Sequence, residues 1–310
     1  MIKNYNYHNL IWVDVTSPTN EDVSSLVKKY SLNPVVGDVL LSPIRNPKVS
    51  SYKEYILLTL RIPIRTNNDN KKRVIKKEID FVIGRNFIIT SHAENIEPLH
   101  VFGKAFETNI ILDKRGIGDH AGLIFYYIMQ RIYAYMKNDL ENIKDELERA
   151  EEHVFTGHER KMVEVLSDIS RELIDFKQTI RLHHEVLVSF EAVPYKLFDE
   201  FLGKDMLSIA HDIRGEYEDV HNIMANCREL VNDLKETNTS LFSYKQNENM
   251  KLFSILAFVT FPLTLLLNLF SLPTSHIPLI GYKYDWEIIA LTIIVLAFSM
   301  FYFFKKKKWL

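Results

Sequence analysis

The 310-residue chain carries 38 Lys and Arg against 40 Asp and Glu, a formal charge of −2, with a mean hydropathy of −0.08. Taken without position, these averages describe one or two ordinary soluble domains and exclude a strongly charged or disulfide-built chain, since Cys227 has no internal partner and suits a reducing compartment. Position changes that reading, because the apolar residues concentrate near the C-terminus.

Residues 1–118 read as a cytosolic α/β domain within an α+β chain. NLIWVDV, EYILLTLRI, VIKKEIDFVIG and NFIITSH are β-rich, and EDVSSLVKKY, introduced by Ser17-Pro18-Thr19, has the cap and spacing of a short helix. Asn67 to Arg73 is expected to be a polar turn between two of the strands. The opening MIKNYNYHNLIWVDV lacks the apolar core of a signal peptide, so the front of the chain is expected in the cytosol. His92-Ala93-Glu94 matches the H-x-E of zinc deaminases, but the P-C-x-x-C that chemistry needs cannot be built with one cysteine. No phosphate-cradling glycine loop occurs, so transport driven by nucleotide hydrolysis is not expected, and the chemistry is read as ion coordination without covalent catalysis, not as that of an enzyme.

From 119 the period becomes helical. Ile132, Met136, Leu140, Ile143 and Leu147, then Leu166, Ile169, Leu173, Phe176 and Ile180, alternate by three and four as in a coiled-coil seam. They predict a helical hairpin over 119–202 that turns near Thr156-Gly157. His183-His184 and the pair His153 and His158 are read as solvated residues on charged helices. A third helix follows, in which Ile213, Tyr217, Val220, Met224, Cys227, Val231 and Leu234 alternate by four and three over a cytosolic stretch of 203–249. No proline intervenes before Pro262, so this helix is expected to continue into a membrane span at 250–272, a rod of roughly 100 Å.

A second span covers 286–304, after a loop at 273–285 expected to face outward. Lys305 to Lys308 begin a basic tail, 305–310, and lysines beside a span stay cytoplasmic. Both termini are therefore expected in the cytoplasm, with the protein in the plasma membrane. The lysine run is a topology signal with some attraction to anionic lipid, so no nucleic-acid partner is inferred. Tyr282, Tyr284 and Trp286 at one end of the second span, with Tyr302 and Trp309 at the other, suit an interfacial aromatic belt.

Within the first span, Ser254, Thr264, Asn268 and Ser271 lie on one helical stripe with Asn247, Met250, Ala257 and Phe261. An amide unpaired in hydrocarbon is costly, so Asn268 should face protein or water. Steps of seven extend the stripe through Asp212, Asp219, Asn226, Asp233, Ser240 and Asn247, provided the helices supercoil left-handedly. Two spans cannot enclose a water-filled path, whereas a symmetric ring of identical chains can. Rings of carboxylates and amides attract cations, and a ring of Phe261 side chains can gate by dewetting. The functional reading is a homo-oligomeric cation channel; the competing one is that the small polar residues are helix-packing glue. Oxygen ligands without Cys or His on the stripe favour Mg²⁺ over soft metals.

Several segments resemble the CorA-type divalent metal ion transporters. They are Asn247-Glu248-Asn249-Met250-Lys251, Phe261-Pro262-Leu263-Thr264, and the ending Phe304 to Leu310; further forward come Trp12-Val13-Asp14-Val15-Thr16, Asn33-Pro34 with Asp38, Pro47-Lys48-Val49 and Asn86 to Thr90. The resemblance implies a homopentamer in the bilayer, a cytosolic funnel of long helices and passive Mg²⁺ uptake, sometimes with Co²⁺ or Ni²⁺, and no cofactor beyond the transported and regulatory cation. It implies pore positions for Asn247, Met250, Phe261, Thr264 and Asn268, and an acidic regulatory position for Asp212, where cytosolic metal bridging subunits would hold a closed state. The family ends its first span with Gly-Met-Asn, where this chain has Ser271-Leu272-Pro273. Two readings stay open: a divalent-cation channel with Asn268 as the remaining amide ring, or a relative of altered selectivity or without transport that serves a structural or regulatory role.

Overall fold

The computed structural model describes residues 1–42, 47–68, 71–107, 120–193, 200–271 and 284–307, which divide into two units, Met1–Lys235 and Glu236–Leu310. In the first unit a mixed six-stranded sheet forms from β1 (Ile2–Tyr7), β2 (Leu10–Thr16), β3 (Lys48–Ser51), β4 (Tyr55–Asn68), β5 (Lys71–Gly84) and β6 (Phe87–His92), in the order β1-β2-β6-β5-β4-β3. Only β2 and β6 are parallel; all other neighbours are antiparallel.

Alternation along the strands assigns each side chain to a face. Val13 and Val15 of β2, with Leu57, Val82 and Ile89, turn toward α1 (Asn20–Lys29) and α2 (Pro34–Leu41), which contribute Val23, Leu26, Val36 and Leu40. Thr19 and Asp22 close a reciprocal cap at the start of α1, and Asn33 caps α2 with Pro34 in its first turn. Trp12, on the other face, packs on Phe102 and Phe106 of α3 (Glu97–Glu107), with Tyr5 stacked at 4.5 Å. Gly103 lets α3 come this close, because a Cβ there would stand 2.6 Å from the Tyr5 hydroxyl.

The β4–β5 hairpin is longer than the sequence reading allows. Thr66, Asn67 and Asn68 pair with Arg73, Lys72 and Lys71, so most of the expected polar turn belongs to the ladder. Hydrophobic alternation stops before the ladder does, and Lys72 finds its support at long range, 2.7 Å from Glu146. Pro63 is tolerated in β4 because β3 pairs only Ile56 to Thr59, leaving Pro63 on an open edge.

The second face of the sheet is covered by α4 (Ala121–Phe155), which packs Phe125 on Phe81 at 5.2 Å, and by α5 (Glu159–Ile180), antiparallel to α4 across the short link at Thr156 to His158. All ten seam residues named for these helices are buried. Among them sits a polar cluster: Arg65 reaches Glu172 at 2.7 Å and Glu146 at 2.9 Å, and its backbone N–H donates to Asp139. Burial pushes the Asp139 carboxyl up to about 6, against the opposing pull of Arg65. α6 (His183–Glu191) follows.

His183 is not solvated. It is fully buried, its Nε2 donating to the Arg61 carbonyl at 2.7 Å while Nδ1 stands 3.0 Å from the Tyr133 hydroxyl. The short link from α5 turns this residue inward over β4, and burial pushes its pKa down to about 4. His184, His153 and His158 are exposed.

A single long helix, α7 (Glu200–Phe270), enters both units. In the first unit its Ile213, Tyr217, Val220, Met224, Cys227, Val231 and Leu234 are all buried. In the second unit α7 continues through Pro262 and is joined by α8 (Asp285–Lys306). Both helices are long and apolar enough to cross a membrane, with mean hydropathies of 2.1 and 2.2 over their most apolar windows. Lys251, Ile255, Val259, Pro262, Leu266 and Phe270 form the less exposed line of α7 here, and Ile289, Ile293, Ala297, Met300 and Phe304 that of α8. Phe258, beside the α7 line, and Phe304 on the α8 line have ring centroids 6.5 Å apart, which sets α8 against this side of α7.

Candidate ion pathway

The polar stripe of the first span lies away from α8. At about 100° per residue, Met250, Ala257, Phe261, Thr264, Asn268 and Ser271 are turned roughly 160–240° from Ile255, the buried centre of the α8-facing line. All six are exposed, Met250 by 59% and Phe261 by 72%; Ser254, on the flank, is half-buried. Asn247 is exposed one turn before Met250.

The polar groups on this helix differ in what they can offer. The Thr264 hydroxyl donates to the Thr260 carbonyl at 2.9 Å, and Thr260 to Leu256 at 2.8 Å, so both are satisfied within their own helix. Their oxygens keep a lone pair for an ion or water, but the helix needs no outside partner for them. The Asn268 amide is exposed and makes no side-chain hydrogen bond among the described residues. Ser271 closes the helix, its N–H donating to the carbonyls of Leu267 and Asn268. Leu272 and Pro273, the rest of the expected outer mouth, lie outside the described residues, as does most of the 273–285 loop.

On the cytosolic stretch Asp212, Asp219, Asn226 and Asp233 are exposed, in a row that drifts from the flank of the buried seam of α7 at Asp212 toward its far side at Asp233. They are not equivalent. Lys137 of α4 reaches Asp219 at 2.7 Å and Glu216 at 2.9 Å, so Asp219 already has a cation. Asp212 and Asp233 have no ion pair among the described residues. Sequence reasoning missed this clamp, and no local signal marks it, because Lys137 and Asp219 are brought together only by the packing of α4 on α7. Among the described residues no group of three or more His, Cys, Asp or Glu side chains is arranged to hold a metal within one chain.

The model of a family described as CorA-like Mg²⁺ transporter protein matches residues 7–307. The chain belongs to that family. Its members are transporters, not enzymes, and the chain shares their N-terminal α/β sheet domain, long helix and C-terminal apolar helix. The cobalt/magnesium transport protein CorA of Thermotoga maritima is 24% identical over 96% of this chain and 83% of its own. That of Methanocaldococcus jannaschii is 21% identical over 98% and 92%. The complete structure of the CorA magnesium transporter from M. jannaschii superposes with a TM-score of 0.81 at 19% identity, covering 99% of this chain and 93% of that one. The full-length CmaX protein gives 0.71 at 14% identity, covering 97% and 89%. At these identities the superpositions establish the CorA-like fold alone.

Proposed function

We propose that this CorA-like chain is one subunit of a homopentameric channel in the plasma membrane that admits Mg²⁺, and with it Co²⁺ or Ni²⁺, down the electrochemical gradient, both termini cytoplasmic. The observation that carries the reading is the exposed stripe of α7, opposite its α8-facing line, with an amide at Asn268 that has no partner among the described residues. An amide so placed in a single chain needs water or other subunits around it, and a ring of copies supplies both. Asn247, Met250, Ser254, Phe261, Thr264, Asn268 and Ser271 then line the axis: the amide and hydroxyl oxygens replace part of a hydration shell, and Phe261 forms the apolar constriction.

Mg²⁺ keeps its waters, so such rings handle it as a hydrated ion through oxygen acceptors. Ser271, Leu272 and Pro273 replace the Gly-Met-Asn mouth, which moves selection one turn inward to Asn268. Asp212 and Asp233, without an ion pair among the described residues, are the acids that cytosolic Mg²⁺ would bridge between subunits, holding the closed state; since the described residues of one chain offer no three-ligand cluster, such a site would draw on its neighbours. Loss of that metal leaves like charges around one axis, which repel and open the ring.

The test is Mg²⁺ entry into liposomes carrying the purified protein, read with a trapped magnesium-sensitive dye beside Co²⁺ and Zn²⁺. Saturable Mg²⁺ entry that cytosolic-side Mg²⁺ suppresses is the expected result. An intact oligomer that passes none of these ions overturns conduction and leaves the structural or regulatory role favoured by the altered mouth.

A further inference from the structure

His120, the residue preceding α4, is 2% exposed on its side chain, yet neither ring nitrogen has a hydrogen-bond partner among the described residues. A buried imidazole carries at least one N–H and one lone pair or a second N–H, and leaving both idle is costly enough that such groups are rare. Two side chains from the start of α7 flank the ring. The Asp205 carboxylate lies 3.9 Å from Nε2, too far for a direct hydrogen bond. Met206 Sδ lies toward the Nδ1 side: a Cβ on Gly122 would collide with that sulfur and stand 2.8 Å from Nδ1, so only glycine leaves room for both.

We propose that His120 Nε2 and the Asp205 carboxylate are two protein ligands of a site for a borderline divalent cation of the Zn²⁺ and Co²⁺ class, with water completing the coordination. Metal–ligand bonds of about 2.1 Å allow two ligand atoms to stand up to about 4.2 Å apart, so the 3.9 Å gap spans one ion. A nitrogen ligand selects against Mg²⁺, which prefers oxygen. Gly122 and Met206 occupy the Nδ1 side of the ring, so Nε2 is the nitrogen turned toward Asp205. The site joins α4 to the start of the helix that carries the polar stripe, and it requires no assumption about conduction.

The experiment is a Co²⁺ titration of the full-length protein in detergent under saturating Mg²⁺, followed by calorimetry and by the visible absorption of bound Co²⁺. Expected is one class of Co²⁺ that Mg²⁺ does not displace and that binds about tenfold or more weakly in both His120→Gln and Asp205→Asn. Asp205 is 35% exposed, so Asp205→Asn keeps the test decisive if His120→Gln fails to assemble. Co²⁺ fully displaced by Mg²⁺, or bound equally well by wild type and Asp205→Asn, overturns the site.

Discussion

The two units of this chain invert the usual relation between apolar side chains and solvent. In Met1–Lys235 the large apolar residues are inside: Trp12, Phe81, Phe125 and Phe176 are at most 1% exposed. In Glu236–Leu310 they are outside, with Phe253, Phe261, Trp286 and Phe298 each exposed by 68% or more. The first unit buries its large apolar side chains within a single chain, with Arg65 paired to Glu146 and Glu172 inside it. The second leaves its apolar surface uncovered within one chain, as a lipid face and, on the stripe of α7, a subunit interface of the proposed channel would require.

Matched truncations break this contrast if it is wrong. Phe125→Ala removes a ring packed between Phe81 and Phe190, both at 5.2 Å, and should lower stability by about 3–5 kcal/mol. Phe253→Ala, from a surface turned outward, should change it by less than about 0.5 kcal/mol. Thermal or denaturant unfolding of the full-length protein in detergent measures both. Equal losses would mean that Phe253 is a core residue and that the outward surface is not a lipid face.

Within the second unit the sharper contrast is between two polar residues of one helix. Asn268→Leu should cut Mg²⁺ flux about tenfold or more, equivalent to about 1.4 kcal/mol, while leaving the oligomer intact. Thr260→Val removes a hydroxyl already bonded to Leu256 and off the stripe, and should leave flux unchanged. Liposome uptake of the two variants decides whether the stripe conducts or merely packs.

In the first unit, buried acids set the pH response. Asp80 is 6% exposed, accepts the Thr59 hydroxyl at 2.5 Å, and is pushed up to about 7 chiefly by burial. In the unfolded chain the same carboxyl titrates near 3.9. Between these values folding takes up a proton, so the Asp80 contribution to stability is full below about pH 4 and is lost as pH rises through 7. Asp139, pushed up to about 6, acts in the same direction. Asp80→Asn stays neutral throughout; its melting temperature relative to wild type should therefore rise between pH 5 and pH 8. A constant difference would assign the ionised form to Asp80 in the folded state.

The same contrast explains what was readable in the sequence. The seams of α4, α5 and α7 were legible because burial there follows one helical face, and Pro262 interrupts the long helix no more than expected. The polar stripe was legible for the same reason. By contrast, β1 buries only Tyr5 and β3 buries nothing, so neither carries an alternation to read. α2 is too short and too uniformly apolar to show a period, although its Asn33-Pro34 start was a usable signal. His183, the Arg65 cluster and the His120 site were illegible because each is assembled from residues far apart in sequence, and a histidine on a charged helix looks the same whether it is solvated or buried.

The smallest expected effect tests the join between the helical hairpin and the acidic row. Lys137 is 27% exposed and Asp219 63%, so screening holds their pair to about 0.2–1 kcal/mol, and Lys137→Met should barely move the melting temperature. On the proposed gating, its effect on the row should exceed its effect on the fold, because it removes the cation paired with Asp219 and returns Asp219 to the acids that Mg²⁺ would bridge. The Mg²⁺ concentration that half-closes the channel in liposomes should then fall, by a few fold for one added carboxylate per subunit. Lys137→Arg, which keeps the charge, should leave it unchanged. A fall in both variants would trace the effect to altered packing of α4 on α7, and a fall in neither would remove Asp219 from the row.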